Sequence, residues 1–198
     1  MAVTAWKAAG TAANDTSTGS VTWDSDDLFT AIVGTEVTSD DNVYAGPQLA
    51  GAGTTNWLKA TNFGFTSTDI PVGSSIDGFE IEVRQFKSGS IVVSSTTINL
   101  VKAGTVSGSN FGTAGDWATT ETVVNYGSAT QLGGLSWTQS DVVSSNFGVA
   151  LSVINASSIL PVGARNRFVD QIRMRVNYTV GGASFDQKKA SQFLTFFM

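Results

Sequence analysis

The sequence contains no cysteine and no histidine among its 198 residues. The lack of cysteine excludes a disulfide framework, so the fold must depend on its core and its hydrogen bonds. The two absences together remove the commonest nucleophiles, general bases and soft metal ligands of enzymes. Acids, lysines and hydroxyls remain, but we expect a protein that acts without catalysis, and we predict no cofactor.

Charged residues are also scarce, at 14% of the chain, and the net charge is −5. Because nucleic-acid binding needs a basic surface, we predict no nucleic-acid partner. No apolar run approaches the roughly 20 residues of a membrane-spanning helix. Residues 1–10 lack the basic start and apolar run of a secretory signal. We therefore expect no membrane insertion, and synthesis in a cytoplasm without signal-peptide export.

Alternation of apolar and polar residues predicts strands. Phe79, Ile81 and Val83 alternate with charged residues, and the same period runs through residues 172–179. Shorter runs rich in β-branched residues predict further strands at residues 91–93, 97–101, 122–126 and 147–153. This spacing predicts an all-β fold, an antiparallel β-sandwich of the jelly-roll kind, formed as one domain by residues 1–180.

Two of the three prolines stand in Pro-Val-Gly turns, at Pro71 and Pro161, each ahead of one of the two most regular strands. The repetition is compatible with a weak internal duplication or with chance. Residues 138–145 predict a short helical turn with Thr138 or Ser140 as its cap.

Charge is unevenly distributed along the chain. Residues 15–41 carry seven acids and no base, whereas six bases and two acids follow from Arg165 onward. One interpretation is that the two segments neighbour each other within one sheet or are both solvated. The other is contact between copies, acidic edge to basic edge.

Three groups of residues are candidates for chemistry. Asp24, Asp26 and Asp27, and separately Asp40 and Asp41, offer oxygen ligands of the kind that calcium binds. Neither group follows the twelve-residue calcium loop, so we interpret them as solvated turns and predict no metal site. The third group is formed by Glu80 and Glu82.

Glu80 and Glu82 would lie on one strand face roughly 7 Å apart, within the separation of glycosidase carboxylates. Their place among solvent-facing positions favours an ordinary polar face. We therefore predict no catalytic residue. Five tryptophans remain that could stack on sugars, although aromatics in an all-β protein are more often core or interface residues; they are Trp6, Trp23, Trp57, Trp117 and Trp137.

Residues 58–65, followed by Ile70-Pro71 and by residues 76–83, resemble a β-sandwich module of bacteriophage virion and tail-region proteins. The likeness continues in order through residues 100–104, 126–127, 137–138, 145–149 and 169–172. It covers most of the chain from about residue 40 to residue 180. The matching positions are packing and turn motifs, so the resemblance implies a fold and a virion context and transfers no catalytic or ligand residue.

The C-terminal segment, residues 181–198, lies outside that resemblance, and we predict that it is a docking tail. Ser184 and Gln187 have the spacing of a capping box that begins a helix. The strongly apolar end of the chain needs burial, either on its own sandwich or in a neighbouring subunit. The candidate interface residues are Phe193, Leu194, Phe196 and Phe197.

These observations lead to three functional hypotheses. We expect a non-enzymatic structural protein of a phage virion, made in the host cytoplasm, either tail- or baseplate-associated or capsid-decorating. It would act through interfaces with other virion proteins and with copies of itself. The alternative is a carbohydrate-binding or host-adhesion module, which tryptophans exposed in a groove would favour. The third hypothesis, a glycan-degrading enzyme, requires two carboxylates in one cleft.

Overall fold

The computed structural model describes residues 1–25, 30–31, 34–47, 52–89, 92–155 and 167–181. In these residues two antiparallel sheets pack against each other around a core of apolar side chains. The predicted antiparallel β-sandwich is therefore confirmed. Within the same residues, no helix has the length and apolar character needed to cross a bilayer.

The described residues form fourteen strands and one helix. In chain order these are β1 (Ala2–Val3), β2 (Lys7–Ala8), β3 (Thr11–Asp15), β4 (Trp23–Ser25), β5 (Thr30–Ala31), β6 (Ala45–Pro47), β7 (Gly53–Thr54), β8 (Trp57–Thr61), β9 (Ser75–Lys87), β10 (Val93–Lys102), β11 (Thr105–Ser107), β12 (Thr122–Ser128), α1 (Gln139–Val142), β13 (Gly148–Asn155) and β14 (Arg167–Thr179).

Sheet A has the strand order β12-β9-β14-β6-β4-β5, with β1 and β2 also paired to β14. Sheet B has the order β11-β10-β13-β8-β3, with β7 also paired to β13. Strands β8, β10 and β13 of sheet B alternate along the chain with β9, β12 and β14 of sheet A. Such alternation between two sheets is typical of a jelly roll.

The two most regular strands of the sequence, β9 and β14, are antiparallel neighbours in sheet A. Phe79, Ile81 and Val83 of β9 point into the core, opposite Val176, Met174 and Ile172 of β14, and all six side chains are buried. The residues between them form a polar outer face. The period-2 pattern predicted these strands because one face of the sheet is buried in the core and the other faces solvent.

The other strand predictions are confirmed in position but not all in extent. Residues 97–101 and 122–126 lie within β10 and β12, and residues 148–153 lie within β13. The sequence predicts separate strands at 91–93 and 97–101, but Val93 to Lys102 form one strand with a register irregularity between Val93 and Ser95. Residue 91 lies outside the described residues. A β-bulge accounts for the interrupted pattern, because it shifts the alternation by one residue.

Both local predictions that the structure describes are confirmed. The amide of Ser74 donates to the carbonyl of Pro71, and Gly73 has φ of 84°, as a turn leading into β9 requires. Helix α1 begins after Thr138, whose hydroxyl accepts from the Asp141 amide while the Asp141 carboxylate accepts from the Thr138 amide. The second Pro-Val-Gly turn, at Pro161, lies outside the described residues.

An aromatic cluster occupies one end of the core. The ring of Phe147 lies 5.4 Å from Phe79 and 5.4 Å from Trp137, and Phe63 and Phe65 pack on its other side. These rings belong to the segments that carry the resemblance described above. The segments thus contribute aromatic residues to the core, and their resemblance to phage virion proteins stays a prediction.

The acidic and basic segments lie in one sheet, since β4 and β6 follow β14 in the order of sheet A. Two of the basic residues pair with acids outside the acidic segment. Arg173 and Arg175 of β14 pair instead with Glu82 and Glu80 of β9. Contact between copies stays a prediction. The boundary at residue 180 also stays a prediction, and the tail residues Phe193, Leu194, Phe196 and Phe197 lie outside the described residues.

Candidate functional site

Three of the five tryptophans are core residues. Trp23, Trp117 and Trp137 are buried, and each indole donates a hydrogen bond to an internal acceptor. Trp23 Nε1 lies 2.8 Å from the carbonyl of Asn56, and Trp117 Nε1 lies 2.8 Å from the hydroxyl of Thr96. The prediction that tryptophans serve packing is confirmed for these three.

Trp6 is half-buried on the outer face of sheet A. The guanidinium of Arg175 lies 4.7 Å from its ring centroid, and that of Arg173 lies 5.9 Å away. These cations already contact the aromatic ring, as in other cation–π pairs. Trp6 therefore supports the polar face of the sheet and offers little free ring surface to a ligand.

Trp57 lines an open groove. It begins β8 on the outer face of sheet B and is half-buried. We define the Trp57 groove by its lining residues: Asp15, Ser17, Thr18, Trp57, Asn99, Gly104, Thr105, Val106, Ser107 and Gly108. Its volume is about 610 Å³. That volume is in the range of small-molecule sites.

Two of the lining residues come from strands that are not neighbours in sheet B. Trp57 belongs to β8 and Asn99 to β10, and β13 lies between these strands. Ala150 of β13 pairs with Lys59 of β8 and with Asn99 of β10. Ala150 is completely buried and is not among the lining residues of the groove.

One wall of the groove is fixed by an ion pair. Lys59 Nζ donates to Asp15 Oδ2 at 2.9 Å and to the carbonyl of Gly104 at 3.3 Å. The amide of Ser17 donates to the other oxygen of Asp15 at 3.0 Å. The hydrogen bonds from Lys59 and Ser17 lower the pKa of Asp15 from 3.8 to about 2. At neutral pH this wall presents an ionised carboxylate whose charge is largely balanced by Lys59.

The opposite wall is the hairpin between β10 and β11. Ala103 and Gly104 have φ of 51° and 83° in the two-residue turn between Lys102 and Thr105. The side-chain nitrogen Nδ2 of Asn99 donates to the backbone carbonyl of Gly108 at 2.8 Å. Asn99 Oδ1 is buried and has no hydrogen-bond partner. Leaving a buried acceptor without a partner is costly.

The lining residues of the groove include one carboxylate, Asp15, whose pKa is lowered. A general acid needs the opposite shift, because it must hold a proton near neutral pH. The arrangement of one aromatic side chain, fixed polar groups and backbone carbonyls is suited to binding a polar ligand.

The pair Glu80 and Glu82 does not form a cleft. Arg175 and Asn177 donate to Glu80, and Arg173 donates to Glu82 on the same outer face of sheet A. The hydrogen bond from Arg175 lowers the pKa of Glu80. The expectation of an ordinary polar strand face is confirmed, and the ion pairs leave neither glutamate placed as an acid–base group.

The two aspartate groups fall in different settings. Asp24 and Ser25 are buried in β4, so their interpretation as a solvated turn is wrong, because β4 pairs with β5 and β6 inside sheet A. Asp26 and Asp27 lie outside the described residues. Asp40 is exposed and forms an ion pair with Arg84.

A second groove, of about 480 Å³, lies between residues 72–76 and 137–140. Its tryptophan, Trp137, is only 8% exposed because the indole packs on Phe79 and Phe147. The groove thus presents mainly backbone, hydroxyls and the exposed Val72. It offers less aromatic surface than the Trp57 groove.

No family model matches the chain, and no curated protein is similar to it in sequence. Among solved structures, one similar chain is the CBM22-1 xylan-binding domain from Paenibacillus barcinonensis Xyn10C, with 9% identity and a TM-score of 0.35 over 86% of this chain and 85% of that one. Another is CBM35 from Paenibacillus barcinonensis, with 11% identity and a TM-score of 0.26 over 87% of this chain and 100% of that one. Similarity at these TM-scores carries no information about function.

Sequence reasoning identified Trp57 only as one of five tryptophans and did not identify Asp15 or Asn99 as neighbours. Bringing Asp15, Trp57 and Asn99 together requires knowledge of strand order, which the sequence pattern does not contain.

Proposed function

We propose that this protein is a non-enzymatic module that binds carbohydrate in the Trp57 groove. The observation that carries the proposal is a half-buried tryptophan in a groove that is otherwise lined mainly by hydroxyls, backbone groups, Asn99 and the ion-paired Asp15. Sugars present apolar C–H faces and a rim of hydroxyls. A tryptophan ring and fixed polar groups complement these two features.

The charge of the groove favours neutral sugars. Asp15 is paired with Lys59, and the remaining lining side chains are uncharged. The Asp15 carboxylate can accept hydrogen bonds from sugar hydroxyls, and the lining offers no unpaired cation to the carboxylate of an acidic sugar. Carbonyl groups of residues 104–108 and the hydroxyls of Ser17 and Ser107 supply further uncharged contacts.

The test is binding of neutral and acidic glycans to the full chain, first on an array and then by titration calorimetry. Trp57→Ala should weaken binding of a neutral oligosaccharide at least about tenfold, because a central aromatic contact is a typical energetic hot spot. Trp6→Ala is the matched control, since Trp6 is half-buried on the other sheet and contacts Arg175. Absence of any glycan ligand, or equal binding by both variants, would contradict the proposal.

The second candidate function is the structural virion role that the sequence resemblance implies. A structural observation favours it: in the described part of the chain, β12 pairs only with β9, so the other side of this seven-residue strand is an open sheet edge. Open edges are sites for addition of a strand from another chain. Such an interface would join this protein to other virion proteins or to its own copies.

Light scattering of the full chain tests this second function. Self-association should be lost when Asn125 of β12 is replaced by proline, which removes an edge amide. A separate variant with serine at Phe193, Leu194, Phe196 and Phe197 tests the predicted docking tail. A protein that is monomeric in every form, and that binds no other virion component, would exclude the structural role and leave the glycan proposal untouched.

A further inference from the structure

Three carboxylates from distant parts of the chain meet at sheet A. Asp40, Glu121 and Asp170 each place one carboxylate oxygen within 4.8 Å of those of the other two. We call this group the Asp170 cluster. It is separate from the Trp57 groove, which lies on sheet B.

Asp170 is held at the cluster by an irregularity of β14. Val169 pairs with Gln85 and Gln171 pairs with Arg84, so Asp170 occupies a β-bulge between two consecutive partners. Bulges redirect side chains and are frequent beside functional sites. The redirected side chain is completely buried, at 0% exposure, although it is an acid.

The buried oxygens of the cluster are not satisfied by the protein. Asp170 Oδ1 accepts a long hydrogen bond of 3.4 Å from the amide of Asp41. Asp170 Oδ2 and Glu121 Oε1 are buried and have no hydrogen-bond partner. Buried carboxylates are normally paired, hydrogen-bonded or bound to a metal. Two unpartnered oxygens beside a third carboxylate require either a shared proton or a bound cation.

The neighbouring arginine neutralises only part of the charge. Arg84 Nη2 lies 2.8 Å from Asp40 Oδ2, and Arg84 Nη1 lies 3.8 Å from Glu121 Oε2. Arg84 thus contacts one oxygen of each of these residues and leaves Glu121 Oε1 free. Burial and the Glu121 carboxylate raise the pKa of Asp170, which is the shift expected of acids that share too little positive charge.

We propose that the Asp170 cluster binds a divalent cation, and that the cation is Ca²⁺. Glu121 Oε1, Asp170 Oδ2 and Asp40 are the protein ligands, and Arg84 keeps its contacts with the outer oxygens. All available donors are oxygens in an irregular arrangement, which suits Ca²⁺ better than Mg²⁺ because Mg²⁺ demands near-ideal octahedral geometry. The side chain of Asp40 is 48% exposed, which provides an entry path and room for coordinating water.

Such an ion would connect three segments that are distant in the sequence. Asp40 lies in the loop before β6, Glu121 precedes β12 at the sheet edge, and Asp170 lies in central β14. A ligand that binds only the folded state raises the free energy of unfolding by RT ln(1 + [L]/Kd), which grows with the logarithm of its concentration above Kd. The melting temperature therefore reports occupancy directly.

The experiment is a titration of the chelator-treated full chain with CaCl₂, followed by calorimetry and by thermal unfolding at constant ionic strength set with NaCl. We expect saturable binding and a rise of about 5–10 °C in Tm at 100 times the Kd. Asp40→Asn should weaken the affinity at least about tenfold, because it removes ligand charge at an exposed position. Asp77→Asn, which changes an acid that accepts from Thr179 elsewhere on sheet A, should leave the affinity unchanged.

Asp170→Asn should abolish binding, but it also changes a buried group and can alter folding. Asp40→Asn is the more informative variant, because the Asp40 side chain is exposed and its replacement should leave folding intact. Absence of calorimetric binding by the wild-type protein, a Tm that follows only ionic strength, or equal affinity in Asp40→Asn and wild type would overturn the proposal. The first two results would indicate that a proton shared among the carboxylates takes the place of the ion.

Discussion

Glu80 and Arg175 face each other across β9 and β14 and form a bidentate ion pair. Arg175 donates from Nε to Oε2 at 2.9 Å and from Nη2 to Oε1 at 2.8 Å, and Asn177 donates to Oε2 at 2.8 Å. The same guanidinium lies over the ring of Trp6. Both glutamate oxygens are therefore occupied, and the outer face of sheet A is a structural surface in which Glu80 serves strand pairing.

The ion pair should contribute modestly to stability. We expect a double-mutant cycle with Glu80→Gln and Arg175→Gln to give a coupling free energy of about 0.5–1 kcal/mol, since cross-strand ion pairs that stay partly exposed are worth that much. The measurement is urea unfolding of the four proteins at pH 7. High salt should reduce the coupling. A coupling of zero at low salt would show that the two residues act independently.

The Asp15–Lys59 pair should make stability depend on pH in acid. The pKa of Asp15 is lowered from 3.8 to about 2 in the folded protein, so its contribution is complete above the unfolded value of 3.8 and is lost as the pH falls to about 2. Asp15→Asn should therefore destabilise the protein by about 1–2 kcal/mol at pH 7. The difference from wild type should shrink between pH 4 and pH 2.

Urea unfolding of wild type and Asp15→Asn across this pH range measures the effect. Asp77→Asn serves as the control, because Asp77 accepts only from Thr179 at an exposed position. A difference between wild type and Asp15→Asn that stays constant from pH 7 to pH 2 would be incompatible with the lowered pKa.

Sequence patterns predict the long strands of this fold because burial is one-sided there. β9 and β14 expose one face and bury the other along most of their length, so their apolar residues recur at every second position. The strands before β8 have two to five residues each. So short a segment contains too few alternations to be distinguished from a loop, and its pairing partners decide its structure.

The candidate sites depend on contacts that no local pattern records. Trp57 and Asn99 lie 42 positions apart in the sequence and share a groove only because β13 comes between β8 and β10. Asp170 meets Glu121 because a bulge turns its side chain out of the strand alternation. Asp40 was recognisable as a carboxylate ligand, but the other two ligands were not, since each stands alone in its segment.

The cap of helix α1 should be measurable although the helix is short. Thr138→Ala removes the hydroxyl that accepts from the Asp141 amide, and we expect a loss of about 1 kcal/mol in the free energy of unfolding. Thr138→Ser keeps the hydroxyl and should recover most of the loss. If alanine and serine destabilise equally, the threonine methyl group and not the cap is responsible.

Phe147 should be among the most sensitive core positions. It is completely buried and packs against the rings of Phe79 and Trp137 at 5.4 Å. Phe147→Ala should destabilise by about 3–5 kcal/mol, because it leaves a cavity that rigid rings cannot fill. Val72→Ala, at a side chain that is 82% exposed, should change stability by less than about 0.5 kcal/mol. Denaturant unfolding measures both, and a small effect at Phe147 would show that the cluster can collapse.

Alanine substitutions at two glycines distinguish the free-energy cost of an unfavourable backbone conformation from the cost of a steric clash. Gly127 and Gly64 have φ of 78° and 67°, a region that L side chains rarely adopt. A Cβ at Gly127 would lie 2.3 Å from the carbonyl oxygen of Phe79, whereas a Cβ at Gly64 meets nothing within 4 Å. Gly64→Ala should therefore cost about 1 kcal/mol, from conformation alone.

Gly127→Ala should cost at least about 2 kcal/mol more than Gly64→Ala, because the strand pair of β9 and β12 must separate to admit the methyl group. Chemical unfolding of both variants at pH 7 gives the difference. Equal losses of stability in the two variants would mean that β12 moves away from β9 at Gly127 at no measurable cost in free energy. A large excess at Gly127 would show that the backbones of β9 and β12 are held in their close approach, which fixes the position of the edge strand beside Glu121.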